Sequence, residues 1–137
     1  MSNEGKGIMT FDDLILQAQK VLAPRQIASN AWAGSVAAAL LTEKGNIYTG
    51  VCIDVCCGMG FCAEHAAIAA MITAGESKII KLVAINKNGP IPPCGRCREF
   101  ISQIDSTNIE AEIMVAPDKI IKLGELLPYR WDQVETL

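Results

Sequence analysis

The sequence predicts an α/β domain of three layers, α-β-α, built on a mixed sheet of about five strands. Three observations lead there. Helical and strand periodicities follow one another as helix, hairpin, helix, strand, helix, strand, strand, an order that layers helices on a sheet. Half of the 137 residues are hydrophobic and a fifth are charged, enough apolar material to bury a core in one domain. The two segments richest in reactive side chains, around Cys62 and Cys94, each open a helix after a strand. That is where α/β sheets place their ligands.

Taken in order, Met1 to Met9 reads as a mobile tail and residues 10–137 as the single domain. Thr10 followed by Asp13 resembles a capping box. Phe11, Leu14, Ile15, Ala18, Val21 and Leu22 then recur at helical spacing until Pro24 stops the run. Arg25 to Gly34 is expected to be a connector. Ser35 to Leu41 and Asn46 to Val51 alternate as two strands around a Glu43-Lys44-Gly45 turn. Residues 62–74, dense in alanine, form a helix ended by Gly75. Ile79 to Ile85 is a β-branched central strand, Cys94 to Ile104 a helix led by Pro93, and Ile109 to Val115 and Lys119 to Leu123 two further strands.

Composition narrows the function. Net charge is −3 with no Lys/Arg run and few aromatics, which excludes a nucleic-acid groove and favours a small-molecule partner. No apolar run approaches the roughly 20 residues of a membrane span. The polar Met1 to Gly7 stretch has no signal-like core, and six cysteines then read as thiols of a reducing, cytoplasmic compartment.

The chemistry lies in Cys62-Ala63-Glu64 and Pro93-Cys94-Gly95-Arg96-Cys97. Cys94 and Cys97 share one face of a first helical turn, and Cys62 adds a third thiol. Three protein ligands with a fourth position left for water is the stoichiometry of a catalytic zinc. Helix N-termini favour thiolate over thiol at all three. Glu64 sits one step past a ligand, within reach of the water without binding the metal, the place for a proton shuttle. A lone Cys-x-x-Cys would be weak, but Cys-x-Glu followed by Pro-Cys-x-x-Cys resembles the three-cysteine variant of the zinc-deaminase signature His-x-Glu … Pro-Cys-x-x-Cys. Arg96 is the best candidate to offset the −1 charge of zinc with three thiolates, with Arg98 the runner-up and a solvated charge the alternative. His65 points away from the ligand side by helical geometry, since neighbouring side chains diverge. Cys56 and Cys57 read as small packed hydrophobes.

These motifs resemble the cytidine deaminase superfamily. Val36 to Leu41 with Gly45 to Gly50 is similar to its first hairpin, the two cysteine segments to its metal boxes, and Glu125-Leu126-Leu127-Pro128 to the tail of its small three-cysteine members. The likeness spans about residues 35 to 131. Ser35-Val36-Ala37, the Gly-Arg-Cys-Arg form of the second box and Tyr129-x-Trp131 resemble the blasticidin S deaminase branch.

The resemblance implies a cytidine deaminase-like fold and hydrolytic deamination of a 4-aminopyrimidine nucleoside. Zn²⁺ would be held by Cys62, Cys94 and Cys97, with Glu64 carrying the proton. Backbone at Ala63 and Pro93 would meet the exocyclic groups, and Ser35 counts among the substrate contacts. Asp54 would take a sugar hydroxyl, while Cys52 stands where the family has asparagine and is a poor partner for one. Tyr129 and Trp131 would wall the pocket, although spacing alone makes them rim packing. The family's base-stacking aromatic falls on Gly34, with Trp32 nearby as a substitute ring or a packing residue. His65 stands where the family has an arginine that donates to the ligand thiolates and would do so weakly, a packed or interface histidine being the favoured role. Family members of this length are homo-oligomers, with a tetramer favoured and a dimer the alternative. Two rivals stay open: a non-catalytic zinc-stabilised domain of the same fold, and a deaminase of another small aminated heterocycle.

Overall fold

The computed structural model describes residues 9–133. Most of the expected tail, residues 1–8, and the last four residues of the expected domain lie outside that range, whereas Met9 packs against the core. The helix α1 spans Phe11–Val21, and its capping box is present in both directions: the Asp13 amide donates to Thr10 Oγ1 at 3.3 Å and the Thr10 amide to Asp13 Oδ2 at 2.8 Å.

Seven strands follow the prediction of about five in an instructive way. Five positions cross the sheet, in the order β3 (Ile47–Val55), β2 (Ala31–Thr42), β4 (Ile79–Asn86), β6 (Glu112–Ala116) and β7 (Lys119–Lys122). The two additions are short. β1 (Arg25–Ala28) shares an edge of β2 with β4, and β5 (Gly89–Ile91) shares an edge of β4 with β6. The expected connector 25–34 is therefore a hairpin; all four β1 residues are exposed, so no apolar alternation marks the strand.

The central strands alternate between two cores. Ala38, Leu40, Leu82, Ala84 and Ile113 face α2 (Ala63–Thr73) and α3 (Gly95–Ile104). Ala37, Ala39, Leu41, Val83, Ile85 and Met114 face α1. The result is the three-layer arrangement, with α1 alone on one face.

Topology then fixes where the chemistry falls. β3 and β4 both run antiparallel to β2 on its two sides, so they are parallel to each other, and α2 makes the crossing between them. β4 and β6 are parallel neighbours, and α3 makes that crossing. Both helices lie on the same face after parallel strands, so both N-termini emerge at the same end of the sheet. Close docking of α2 on β3 depends on Gly50: a Cβ there would collide with Ala66 and the Ala67 backbone. At its far end α2 closes on Gly75, at φ 93°, with the Glu76 amide donating back to the Met71 carbonyl.

Candidate active site

Cys62 and Cys94 are the N-cap residues of α2 and α3, both in extended backbone conformation. After β3 the chain makes a short 3-10 turn over Cys56–Gly58, then returns so that Phe61 and Ile53 exchange two 3.0 Å backbone hydrogen bonds. The return is tight at Gly60, where a Cβ would strike the Ile53 carbonyl. This delivers Cys62 to the sheet end. Pro92 and Pro93 deliver Cys94, and Cys97 lies one turn into α3, fully buried.

The thiols converge. Cys62 Sγ is 3.4 Å from Cys94 Sγ, which is 3.5 Å from Cys97 Sγ. Sulfurs on a tetrahedral zinc at ~2.3 Å would stand about 3.8 Å apart, so the set fits that ion after shifts of a few tenths of an ångström. Cys62, His65 and Cys97 also bring their donor atoms within 4.8 Å of one another. Burial and neighbouring acidic groups push the Cys97 thiol strongly up, and burial raises Cys62. At Cys94 burial is outweighed by the Cys97 amide and the adjoining thiols, and its pKa falls. Cys97 is buried, Cys62 half-buried and Cys94 exposed, and thiolates gathered this closely need a cation to carry their charge.

Glu64 is only 4% exposed and lies at the inner wall of a cavity of about 480 Å³. Burial pushes its carboxyl above the ordinary range, although its own backbone and the Cys97 thiol pull the other way. Cys62, Ala63, Cys94 and Arg96 line the same cavity, as do Ser35, Cys52 and Asp54 from the β2–β3 side. The Cys52 sulfur receives the Val36 amide at 3.4 Å and meets the Ser35 hydroxyl at 3.3 Å; it lies 3.8 Å from Asp54 Oδ2. Asp54 is exposed.

Other expected residues lie elsewhere. Pro93 is buried and its carbonyl accepts Arg98 Nε at 2.8 Å, so Pro92 lines the cavity instead. Arg98 is thereby held at the helix start. Tyr129 is fully exposed beside a separate depression with Leu127 and Pro128. Trp131, 68% exposed, donates its indole N–H to Glu99 Oε2 at 3.1 Å. Within this subunit, then, the aromatic pair is rim material. Trp32 is exposed opposite Asp54 and does not line the cavity. Gly34 explains the missing aromatic: its φ is 82°, and a Cβ would strike the Ala23 carbonyl. Cys56 and Cys57 are exposed rather than packed, and Cys57 holds a left-handed φ of 63°.

His65 lies beside a ligand-set thiol, the place the family likeness gave it and helical spacing did not. Its Nδ1 lies 3.2 Å from Cys97 Sγ, and its ring stacks on Phe100 with centroids 4.4 Å apart and planes at 7°. Divergence from Glu64 on α2 turns it toward α3, and α3 supplies the thiol. Arg96 makes no hydrogen bond to a thiol among the described residues.

Comparison with known proteins gives consistent results. A family model described as the cytidine and deoxycytidylate deaminase zinc-binding region matches residues 11–112. The chain is 31% identical over 96 residues to the cytidine deaminase of Mycobacterium tuberculosis (strain ATCC 25618 / H37Rv), covering 69% of this chain and 70% of that one. It is 28% identical over 97 residues to the cytidine deaminase of Halalkalibacterium halodurans, covering 68% and 74%. The crystal structure of cytidine deaminase from Mycobacterium tuberculosis superposes with a TM-score of 0.75 at 28% identity, over 90% of this chain and 98% of that one. The enzyme from Burkholderia pseudomallei gives 0.71 at 25%, over 90% and 100%.

Proposed function

The chain belongs to the zinc-binding cytidine and deoxycytidylate deaminase family, and from that premise we propose that it hydrolyses the 4-amino group of a free cytosine nucleoside. The observation that carries this reading is the buried Glu64 carboxylate, one residue past Cys62, facing a cavity floored by converging thiols. We assign Cys62, Cys94 and Cys97 as the zinc ligands. The chemistry zinc supplies when bound is Lewis-acid activation of water. Glu64 would take one proton of the attacking water and hand it to ring N3, then take the proton of the new C4 hydroxyl and pass it to the departing amine. Water is consumed and ammonia leaves, so the carboxylate ends as it began. A non-catalytic zinc domain would have no use for a carboxylate buried at that point.

Charge favours a nucleoside over a nucleotide. Asp54, Glu64 and the thiolates face the cavity, against Arg96 as the single basic residue of its lining. A phosphate would meet net repulsion there. Within nucleosides, the engaged Cys52 sulfur leaves Asp54, whose Oδ2 meets that sulfur at 3.8 Å, as the carboxylate acceptor on the sugar side. This differs from an ordinary ribose grip and supports a modified cytosyl nucleoside such as blasticidin S as the second substrate reading, beside cytidine and deoxycytidine of pyrimidine salvage. Ammonia release should be measured against cytidine, deoxycytidine, deoxycytidylate, cytosine and blasticidin S. Turnover of at least one nucleoside, with deoxycytidylate inert, is expected; silence on every compound by zinc-loaded protein overturns the proposal.

The same reading makes the protein a cytoplasmic homo-oligomer, in keeping with ligand thiols that must stay reduced. From Ala66 to Thr73 the helix α2 carries no charged residue, yet Ala69, Ala70 and Ile72 are exposed. A helix apolar on every side is normally covered. Light scattering should give a mass near four times the 14.7 kDa of one chain, with a dimer the smaller alternative. A monomer at micromolar concentration rules this assembly out.

A further inference from the structure

We infer that Arg98 is a positioning residue for the exposed thiol of the metal set: its Nε–H clamps the Pro93 carbonyl and so fixes the peptide that carries Cys94. The inference rests on the assignment of Cys94 as a zinc ligand. The three thiols differ in what holds them before a metal arrives. Cys97 is buried within the first turn of α3, Cys62 is half-buried and Cys94 is exposed, so packing does least for Cys94.

Cys62 and Cys94 both cap a helix, and each depends on the residue before it. Ahead of Cys62, the Phe61 carbonyl accepts the Ile53 amide at 3.0 Å, and the Phe61 amide donates back over the same distance. Cys94 has no such bridge. The pairing of β5 with β4 ends where Ile91 stands opposite Ala84, and Pro92 and Pro93 have no N–H to give. The hydrogen-bonding group that Pro93 offers is its carbonyl, and Arg98 Nε donates to it at 2.8 Å. The Arg98 amide meanwhile donates to the Cys94 carbonyl at 3.0 Å. One residue thus grips the carbonyls on both sides of the Cys94 Cα. Side-chain rotation is then the main freedom left to Sγ, which lies 3.4 and 3.5 Å from the other two sulfurs.

The contact works through geometry and not through charge. Among the described residues Arg98 makes no hydrogen bond to a ligand sulfur, and both of its partners are carbonyls. Nε is the inner nitrogen of the guanidinium, at the same distance along the side chain as the amide nitrogen of a glutamine. The clamp also decides which backbone faces the cavity. The Pro93 carbonyl is engaged and its residue buried, which leaves Pro92 to form the wall beside Cys94.

The test uses the full chain with two variants. Arg98→Met removes the donor from an unbranched side chain; Arg98→Gln keeps an N–H at the place of Nε and gives up the charge. Zinc affinity is read by competition with a chromophoric chelator. The hold on each thiol is read by iodoacetamide labelling of zinc-loaded protein, followed by mass spectrometry of tryptic peptides, cleavage at Arg96 separating Cys94 from Cys97. The expected result in Arg98→Met is a ~10–100-fold loss of zinc affinity, with Cys94 labelled faster than Cys62 or Cys97. Arg98→Gln should match the parent protein in both. Parent-like affinity and labelling in Arg98→Met would overturn the inference, and so would an even rise at all three thiols, the mark of general loosening. A deficit in Arg98→Gln equal to that in Arg98→Met would overturn it as well, by making the charge the contribution. If Arg98→Met does not fold, Arg98→Gln decides alone: parent-like zinc affinity and Cys94 protection support the clamp, and loss of either overturns it. Cys94→Ser tests the underlying assignment separately: undiminished sulfur-to-cobalt charge-transfer absorption in Co²⁺-substituted protein would remove Cys94 from the ligand set.

Discussion

Replacing Glu64 by glutamine is expected to lower turnover by about 10²–10⁴-fold while leaving zinc content at the parent value. Glutamine has the same shape, so the cavity and the helix α2 should be preserved. What disappears is a group able to take a proton and give it back. Glu64 is nearly sealed from solvent, so bulk buffer cannot easily act in its place. Because Glu64 is outside the converging sulfurs, metal binding should survive the change. Steady-state kinetics on whichever nucleoside the parent protein deaminates, beside metal analysis of the same samples, would check both halves. Parent-like turnover in Glu64→Gln would sink the assigned role; zinc loss would instead make Glu64 part of the binding set.

The second large effect lies away from the chemistry. Asn108→Leu is expected to destabilise the fold by about 3–5 kcal/mol, from three backbone groups, two buried and one half-buried, that lose a partner at ~1–3 kcal/mol each, incompletely additive. Asn108 is fully buried in a 3-10 turn spanning Ser106–Glu110. Its Oδ1 accepts the Ile79 amide at 2.8 Å, while Nδ2 donates to the Ser77 carbonyl at 3.0 Å and the Ile101 carbonyl at 3.1 Å. One side chain thereby ties the start of β4 to the end of α3. Denaturant unfolding of zinc-saturated protein would show the midpoint falling with little change in slope. A loss below about 1 kcal/mol would mean the freed groups find water instead.

How much of this could be read from the sequence depended on how local each cause was. The capping box of α1 involves two residues three positions apart, Thr10 and Asp13, and is as legible in the chain as in the fold. The cysteine segments were legible because each thiol is placed by the start of its own helix, and helix starts are written locally in proline, alanine and spacing. The sheet was legible where strands are buried on both faces, as at Ile79 to Ile85, and illegible at β1, whose residues are all exposed. The His65 contact was not readable from local spacing, because its two residues lie 32 positions apart on different helices, and only the family likeness pointed to it. Helical geometry correctly turned the ring away from Glu64, but nothing local says that α3 waits on that side. Asn108 was overlooked for a similar reason, since a polar residue in a turn looks solvated until the elements around it are known. Tyr129 and Trp131 came from family likeness alone, and this subunit keeps them outside its cavity.

The span between the two cysteine segments has a further consequence. Cys62 and Cys94 are 32 positions apart, and between them lie the whole of α2, β4 and β5. An ion gripping both ends is a non-covalent cross-link around the middle of the sheet. For a loop of that length, chain-entropy arguments give a covalent link about 3–4 kcal/mol of stabilisation, drawn from restriction of the unfolded chain. A metal clip works in the same sense for as long as it stays bound. With Cys62 and Cys94 as the proposed ligands, the same ion would also make the central strand harder to unthread, so metal starvation would weaken the protein as a folded object as well as silence it.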